Sequence, residues 1–400
     1  MRWLAALLLA CAACAHAQDA DPQAALKAQL ARIQELRQAR PGDGLLAYFQ
    51  AFTHAGLGQK DEAIAQLRSL KGRRLGIVPA RQMFEPLWAD ASFQAVVREL
   101  ADEEPRTADA PVVLRLADAQ LVPEGIAYDA RRRVHYIGSI AQRKIVAVDA
   151  QGRARDFATG LDRVLGLAID AKGDWLCAVS TNGFEDGASK ERRNAVVCFA
   201  LASGRRLARI DVPDAMQLND LALAPDGSWY VTDSAAGRLY RIAPGASSAQ
   251  RVGETGLPGA NGVAVSPGGI VYVALNTGIA RIDPATGAAA RMAQPDDVVT
   301  GGIDGLYWHE GALVGVQNVS NPGRVVRVEL DGAAQKVTGV RVLQASRHPE
   351  FAEPTTGTIV GGALHVIANS HVAHFQPDAT LRDPGRLRPT AIVAVPLVSQ

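Results

Sequence analysis

Four polar residues recur at one equivalent position in this chain of 400 residues: Glu124, Asn219, Asn261 and Asp304. Each precedes a short apolar run, as in Glu124-Gly-Ile-Ala-Tyr and Asn261-Gly-Val-Ala-Val. Carboxylate and amide oxygens are hard ligands, which favour Ca²⁺ over zinc or copper, with Mg²⁺ and Mn²⁺ as alternatives. If the four side chains converge, they form a cation site that leaves coordination positions for water or substrate.

The elements that would bring these residues together are short strands separated by tight turns. Two further segments of the same kind begin at Leu165 and Thr356, which makes six. The six openings are spaced by roughly 40 to 55 residues, close to one four-stranded blade of a β-propeller. The pattern predicts a mainly β fold, a six-bladed propeller over residues 112–398. We expect the run Val112-Val-Leu-Arg-Leu to complete the last blade and close the ring.

The part of the chain before the propeller has helical periodicity instead. Apolar residues recur three and four positions apart, and the stretch Tyr48 to Leu70 resembles one tetratricopeptide helical pair. Residues 18–105 are therefore predicted as a small α-helical N-terminal domain, and residues 106–111 as a linker. A lone repeat cannot bury its apolar face, so the domain either caps the propeller or offers a groove to a protein partner.

The first 17 residues are predicted to be a removed export signal. Met1-Arg is followed by a short apolar run, and Ala15-His16-Ala17 has the small-x-small form that signal peptidase cleaves. This predicts a periplasmic or secreted protein, with a lipoprotein anchored through Cys11 as the alternative. No later segment has the ~20 apolar residues of a transmembrane helix. Cys177 and Cys198 remain in the mature chain, either as a disulfide or as two buried thiols.

The charge of the chain is nearly balanced, with 42 basic and 41 acidic residues. There is no long basic run and no stripe of aromatic residues among lysines. This composition argues against a nucleic-acid partner.

Further candidate residues follow from the up-and-down order of strands within a blade. The second strand of each blade should return to the face on which the four ring residues lie. The residues predicted at this rim are Ser139, Ser180, Asp233, Asn276, Asn318 and His371, together with Gln217. His371 is either a general acid or base or a structural histidine. Asp220 should point away from the ring along a regular strand and support Asn219 from behind.

Four phrases in the chain are similar to those of a known family. Pro123-Glu-Gly, Leu218-Asn-Asp, Ala260-Asn-Gly-Val-Ala-Val-Ser and Ile303-Asp-Gly-Leu resemble the regucalcin and gluconolactonase family of six-bladed propellers, over residues 112 to about 398. The resemblance implies that Glu124, Asn219, Asn261 and Asp304 hold a divalent ion. It implies a calcium-dependent hydrolase of a lactone or ester, in which the ion polarises the substrate oxygen, and the predicted signal would make this hydrolase an exported one.

Within that chemistry Asp304 is the best-placed base or nucleophile, and Glu124 is the alternative base. Gln217 departs from the family pattern, because sugar lactonases of this kind carry an Arg at that position. A gluconolactone-like substrate is therefore not implied.

Two other functions fit the same sequence. A non-catalytic periplasmic module would keep the propeller and a structural calcium, and would use them to bind a ligand or a protein partner. A propeller of the strictosidine-synthase kind is the third reading, against which the intact ring argues.

Overall fold

The structure, a computed structural model, describes residues 21–81, 83–183, 185, 191–253, 256–318 and 323–397. The predicted export signal and Cys11 lie outside these residues. Four α-helices of the described chain precede the first strand: α1 (Pro22–Ala39), α2 (Gly44–Gly56), α3 (Lys60–Arg68) and α4 (Ala91–Asp102). Within the described ranges, none of the helices has both the length and the apolar composition that crossing a bilayer requires.

Aspartate caps begin three of these helices. At the start of α1 the Asp21 carboxylate accepts the Gln23 N–H at 3.0 Å. The carboxylate of Asp43 accepts hydrogen bonds from the backbone N–H groups of Leu45 and Leu46, at 3.1 and 3.3 Å, at the start of α2. Asp90 does the same for Ser92 and Phe93 at the start of α4. These caps satisfy N–H groups that have no partner within the helix.

The remaining chain forms six four-stranded antiparallel sheets, and this confirms the predicted mainly β propeller. Blades 1 and 2 contain β2 (Pro123–Asp129), β3 (Val134–Ser139), β4 (Lys144–Val148), β5 (Ala154–Ala158), β6 (Arg163–Asp170), β7 (Trp175–Thr181), β8 (Asn194–Ala200) and β9 (Arg206–Asp211). Blades 3 and 4 contain β10 (Leu218–Leu223), β11 (Trp229–Asp233), β12 (Arg238–Ile242), β13 (Gln250–Arg251), β14 (Val263–Val265), β15 (Val271–Leu275), β16 (Gly278–Asp283) and β17 (Ala288–Arg291).

Blade 5 contains β18 (Ile303–His309), β19 (Ala312–Gln317), β20 (Arg324–Leu330) and β21 (Val337–Gln344). Blade 6 contains β22 (Gly357–Val360), β23 (Ala363–Ile367), β24 (Ala391–Pro396) and, as its outer strand, β1 (Val112–Arg115). Strand β1 pairs antiparallel with β24, so both ends of the propeller sequence share one blade. The expected closure of the ring by the first apolar run is confirmed.

The inner strands of four blades are irregular where they pass the ring positions. The pairing register shifts between Pro123 and Ile126, Val164 and Leu167, Leu218 and Leu221, and Ile303 and Leu306. A β-bulge of this kind breaks the alternation of side chains along a strand. Two successive residues can then face the central channel.

The glycine that follows most ring positions is required by close packing around the channel. A Cβ atom at Gly125 would overlap the carbonyl oxygen of Leu165 in the next inner strand, and one at Gly262 would overlap that of Asp304. Glycine lets neighbouring inner strands approach at the same depth.

The two cysteines of the predicted mature chain form a disulfide. Cys177 and Cys198 lie directly opposite each other on β7 and β8 of blade 2. This resolves the choice between a disulfide and two thiols in favour of the disulfide.

Candidate metal centre

The structure brings the four predicted ring side chains together in the channel. The amide nitrogen of Asn219 donates to Asn261 Oδ1 at 2.9 Å and to Ser234 Oγ at 2.8 Å. The side chain of Asn261 in turn hydrogen bonds to Asp304. Glu124 lies close enough to Asp304 for the charge of Asp304 to raise the pKa of Glu124. The four residues therefore form one polar cluster contributed by blades 1, 3, 4 and 5.

Two oxygen atoms of this cluster are buried without a hydrogen-bond donor among the described residues. They are Glu124 Oε2 and Asn219 Oδ1. An unpartnered buried acceptor is costly, and a charged one costs more. Both atoms are of the type that Ca²⁺ binds, and the cluster offers only oxygen ligands of this hard kind. The residues present therefore fit a divalent cation.

The electrostatics of the cluster point the same way. Burial raises the pKa of Glu124 well above its ordinary value, and the charges of Asp304 and Asp220 raise it further. Burial also raises the pKa of Asp304 to about 6, against the hydrogen bonds from Asn318 and Asn261 that lower it. A divalent cation between these groups would favour their ionised forms and reverse both shifts.

Asp220 lies in the channel, and the expectation that it points away from the ring is wrong. Its Oδ1 accepts the Leu221 N–H at 2.8 Å, and its Oδ2 accepts the Val263 N–H of blade 4 at 3.3 Å. The carboxylate covers Gly166, the residue after the ring position of blade 2. The register shift between Leu218 and Leu221 explains the difference, because the expectation assumed a regular strand. Burial raises the pKa of Asp220 to about 7.

Tyr307 is a further channel residue that the sequence reasoning missed. Its hydroxyl oxygen accepts the Gly357 N–H at 2.6 Å. Burial, followed by the charges of Asp220, Asp304 and Glu124, raises its pKa well above the ordinary range. A signal was present in the sequence, because the third residue after the ring position is alanine in four of the six segments and tyrosine here.

Asn318 and Thr356 also reach the ring residues. Asn318 donates its amide N–H to Asp304 Oδ2 at 2.5 Å and to the Pro354 carbonyl at 3.0 Å. The Thr356 hydroxyl donates to the backbone carbonyl of Glu124. Thr356, at the ring position of blade 6, thus supports Glu124 through the backbone of Glu124.

Other predicted rim residues make local contacts that hold strand ends. The carboxylate of Asp233 accepts backbone N–H groups from Met216, Gln217 and Ala236 at 2.8 to 3.0 Å. Ser139 Oγ accepts the Gln142 N–H at 2.8 Å. Ser180 Oγ accepts the Asp162 N–H at 3.0 Å. These contacts connect the returning strands to the loops of the ring face.

Three predicted rim residues lie beside the loops of this face. The side chain of Gln217 lies against Gly183, and that of Asn276 lies against Gly259. His371 has a left-handed backbone with φ of 63°, and its Nε2 contacts the Arg388 carbonyl oxygen at 2.8 Å. Burial lowers its pKa below the ordinary value. Its role in proton transfer stays a prediction.

A buried arginine lies at the rim beside blade 2. Arg163, two residues before Leu165, has 1 % of its side chain exposed and forms an ion pair with Glu185 at 2.7 Å. The ring of Phe375, from the loop between β23 and β24, lies 4.7 Å from its guanidinium carbon. That loop therefore crosses from blade 6 to blade 2 at the ring face, passing the end of blade 1.

Known structures share this fold. A glucose dehydrogenase-type oxidoreductase of Thermus thermophilus has a TM-score of 0.51 at 17% identity, covering 72% of this chain and 99% of that one. A gluconolactonase of Xanthomonas campestris has a TM-score of 0.49 at 17% identity, covering 73% and 97%. Regucalcin, a calcium-binding protein of Agrobacterium tumefaciens, has a TM-score of 0.49 at 17% identity, covering 73% and 96%.

No family model and no curated protein matches the sequence. The structural neighbours thus include gluconolactonase and regucalcin propellers as well as a sugar dehydrogenase. At these identities the likeness establishes the fold, and function has to be argued from the residues in the channel.

Proposed function

We propose that this protein is a calcium-dependent hydrolase that opens a lactone or an ester. The observation that carries the proposal is the oxygen cluster of Glu124, Asn219, Asn261 and Asp304, in which two buried oxygens have no hydrogen-bond donor among the described residues. A cation held by these four ligands would keep coordination positions for water and substrate. The neighbouring gluconolactonase and regucalcin propellers are consistent with this class of chemistry but do not decide it.

When bound, Ca²⁺ would act as a Lewis acid that polarises the carbonyl oxygen of the substrate. Asp304 is then the proposed base. The Asn318 amide N–H donates to Asp304 Oδ2 at 2.5 Å and holds the carboxylate in one orientation. The water oxygen forms a bond to the carbonyl carbon, and its proton passes to the Asp304 carboxylate. The ester C–O bond then breaks, and the leaving oxygen takes up the proton that Asp304 has accepted. Glu124 is the alternative base.

The first test combines metal content with turnover. We expect the purified protein to contain one calcium per chain and to hydrolyse members of a panel of lactones and aryl esters. Chelation should abolish this activity, and added calcium should restore it. The substitution Asp304→Asn should lower kcat by about a hundredfold or more, since it removes both a negatively charged ligand of the ion and the proposed base. The exposed Asp156→Asn on β5 is the matched control and should retain full activity.

The result that would overturn the proposal is a folded, calcium-loaded protein that is inert on the whole panel. Such a protein would fit the alternative, a ligand-binding propeller with a structural calcium. A protein that contains no calcium and does not bind added calcium would exclude both.

A further inference from the structure

A row of three buried side chains, two of them polar, crosses blade 5 at the depth of the metal centre. Ile303, Gln317 and Arg324 are paired in register on β18, β19 and β20. Gln317 is fully buried, and its amide N–H groups donate to the carbonyls of Gly301 and Val299 at 2.7 and 3.2 Å. Its Oε1 accepts Arg324 Nε–H at 2.8 Å. The row therefore fixes the backbone that leads into β18.

The inner end of this row is the metal centre. Asp304 directly follows Ile303, and Asn318 directly follows Gln317. The Asn318 N–H donates to the Gly302 carbonyl at 3.2 Å, and its amide holds Asp304. A displacement of Gln317 would therefore move both Asp304 and the side chain that orients it.

At its outer end the row contacts the helical segment, residues 22–102. Arg324 donates from Nη2 to the carbonyl oxygen of Leu75 at 3.0 Å, and only 4 % of the residue is exposed. A Cβ at Gly76 would overlap its guanidinium group. The chain between α3 and α4 thus closes directly over Arg324.

Two further contacts join the helical segment to the connection between blades 4 and 5. Leu45 of α2 lies against Gly301, where a Cβ would overlap the leucine methyl group. Val299 belongs to the same apolar core as the helices. Helix α2 is buried along nearly its whole length. Its surface is covered by the chain itself, which favours the cap over a groove that is open to a partner.

We propose that Arg324 is a positioning residue for the metal centre and that the helical segment supports that centre through its contacts with blade 5. Through Gln317, Arg324 sets the position of Asp304 and Asn318, and it does so because the helical segment supplies the carbonyl that holds its guanidinium group. The effect on turnover rests on the function proposed above, whereas the effects on metal affinity and on backbone dynamics do not.

The test compares substitutions in the full chain at two arginines of β20. Arg324→Met removes every hydrogen bond that the Arg324 guanidinium donates, and Arg324→Lys keeps one charge and part of the hydrogen bonding. Arg327→Met is the matched control, because its guanidinium donates to the carbonyls of His309 and Glu310 at 3.3 and 3.1 Å, at the turn beyond the other end of β18. Amide hydrogen exchange of residues 299–305, the calcium Kd, kcat and KM are measured for each.

For Arg324→Met we expect faster exchange in residues 299–305, a calcium Kd raised about tenfold and kcat lowered by a similar factor, with KM nearly unchanged. Arg324→Lys should recover part of each change, and Arg327→Met should match the wild type. A folded Arg324→Met with wild-type exchange and calcium affinity would overturn the proposal. If Arg324→Met does not fold, wild-type values for Arg324→Lys would overturn it equally. A wild type without turnover would count against the hydrolase instead, and the exchange data would still decide this question.

Discussion

Three carboxyl groups share the central channel, and burial raises the pKa of each. Asp220 is shifted to about 7 and Asp304 to about 6, and Glu124 is raised well above its ordinary value. Carboxylates that lie so close together cannot all ionise without a counter-ion. The metal-free protein therefore holds protons in the channel near neutral pH, and a divalent cation has to displace them.

This arrangement predicts an unusual pH dependence of stability. A carboxyl group whose pKa is raised by folding stabilises the protein below its unfolded pKa, and this contribution is lost as the pH rises through its folded pKa. Without calcium, the free energy of unfolding should fall by on the order of 1 to 2 kcal/mol between about pH 6.5 and pH 8. Calcium should abolish the fall, because it pairs with the ionised groups. Thermal unfolding with a chelator or with calcium measures both.

Two features make that test specific. Burial lowers the pKa of His135 to about 4 and also lowers the pKa values of His365 and His371, so these groups withdraw stability as the pH falls below about 6.5, at the lower edge of the chosen window. Their contribution is the same with chelator and with calcium, so it cancels in the comparison of the two. Asp220→Asn removes one of the titrating groups and should flatten the metal-free profile. A metal-free protein whose stability is constant or rises over this range would contradict the prediction.

Residue types and spacing predicted the oxygen-rich cluster but not the whole channel. Glu124 and Asp304 could be found because they recur in register at the start of apolar runs. The position of Asp220 differs from the prediction because the bulge in β10 breaks the alternation of side chains in a regular strand. Tyr307 was missed because a tyrosine in a strand is usually an apolar packing residue, and only its contact with Gly357 shows where its hydroxyl lies.

At the scale of the elements, blade 2 differs from the others in having a covalent cross-link between its second and third strands. Cys177 and Cys198 are 21 residues apart and buried. Closing a loop of this length in the unfolded chain is worth about 3 kcal/mol in the loop-entropy description. The disulfide thus fixes β7 and β8 and with them the ends of the loop that carries Glu185.

We expect the double substitution of Cys177→Ala and Cys198→Ala to lower the free energy of unfolding by about 3 kcal/mol. Urea unfolding measures the change, and reductant should produce a similar shift in the wild type but none in the double variant. Calcium affinity should be unchanged, since both cysteines lie on the middle strands of a blade without a metal ligand. An unfolding midpoint equal to that of the wild type would show that the cross-link contributes nothing.

For the molecule as a whole, the number of blades and the closure of the ring could be predicted because the repeats are similar in length and each begins with the same kind of short apolar segment. The contacts through which the helical segment docks could not be predicted. The docking depends on single contacts such as Leu45 on Gly301 and Arg324 on Leu75, and these have no periodic signature in the sequence. Because the two parts share an apolar core that includes Val299, they should unfold together.

Calorimetry tests whether the helical segment and the propeller unfold together. The wild type should show one cooperative transition, with helical and sheet signals lost at the same temperature. In Gly301→Val the added side chain would overlap Leu45 and the backbone of Asn276 and Thr277, so we expect a loss of about 2 kcal/mol and a separate, earlier transition of the helices. Gly339→Val is the matched control, because no atom lies within 4 Å of its added Cβ and it occupies an outer strand, where valine is favoured. Two transitions in the wild type, or equal stabilities of the two variants, would mean that the helices and the propeller are independent units. The packing of the helices would then not support the metal centre.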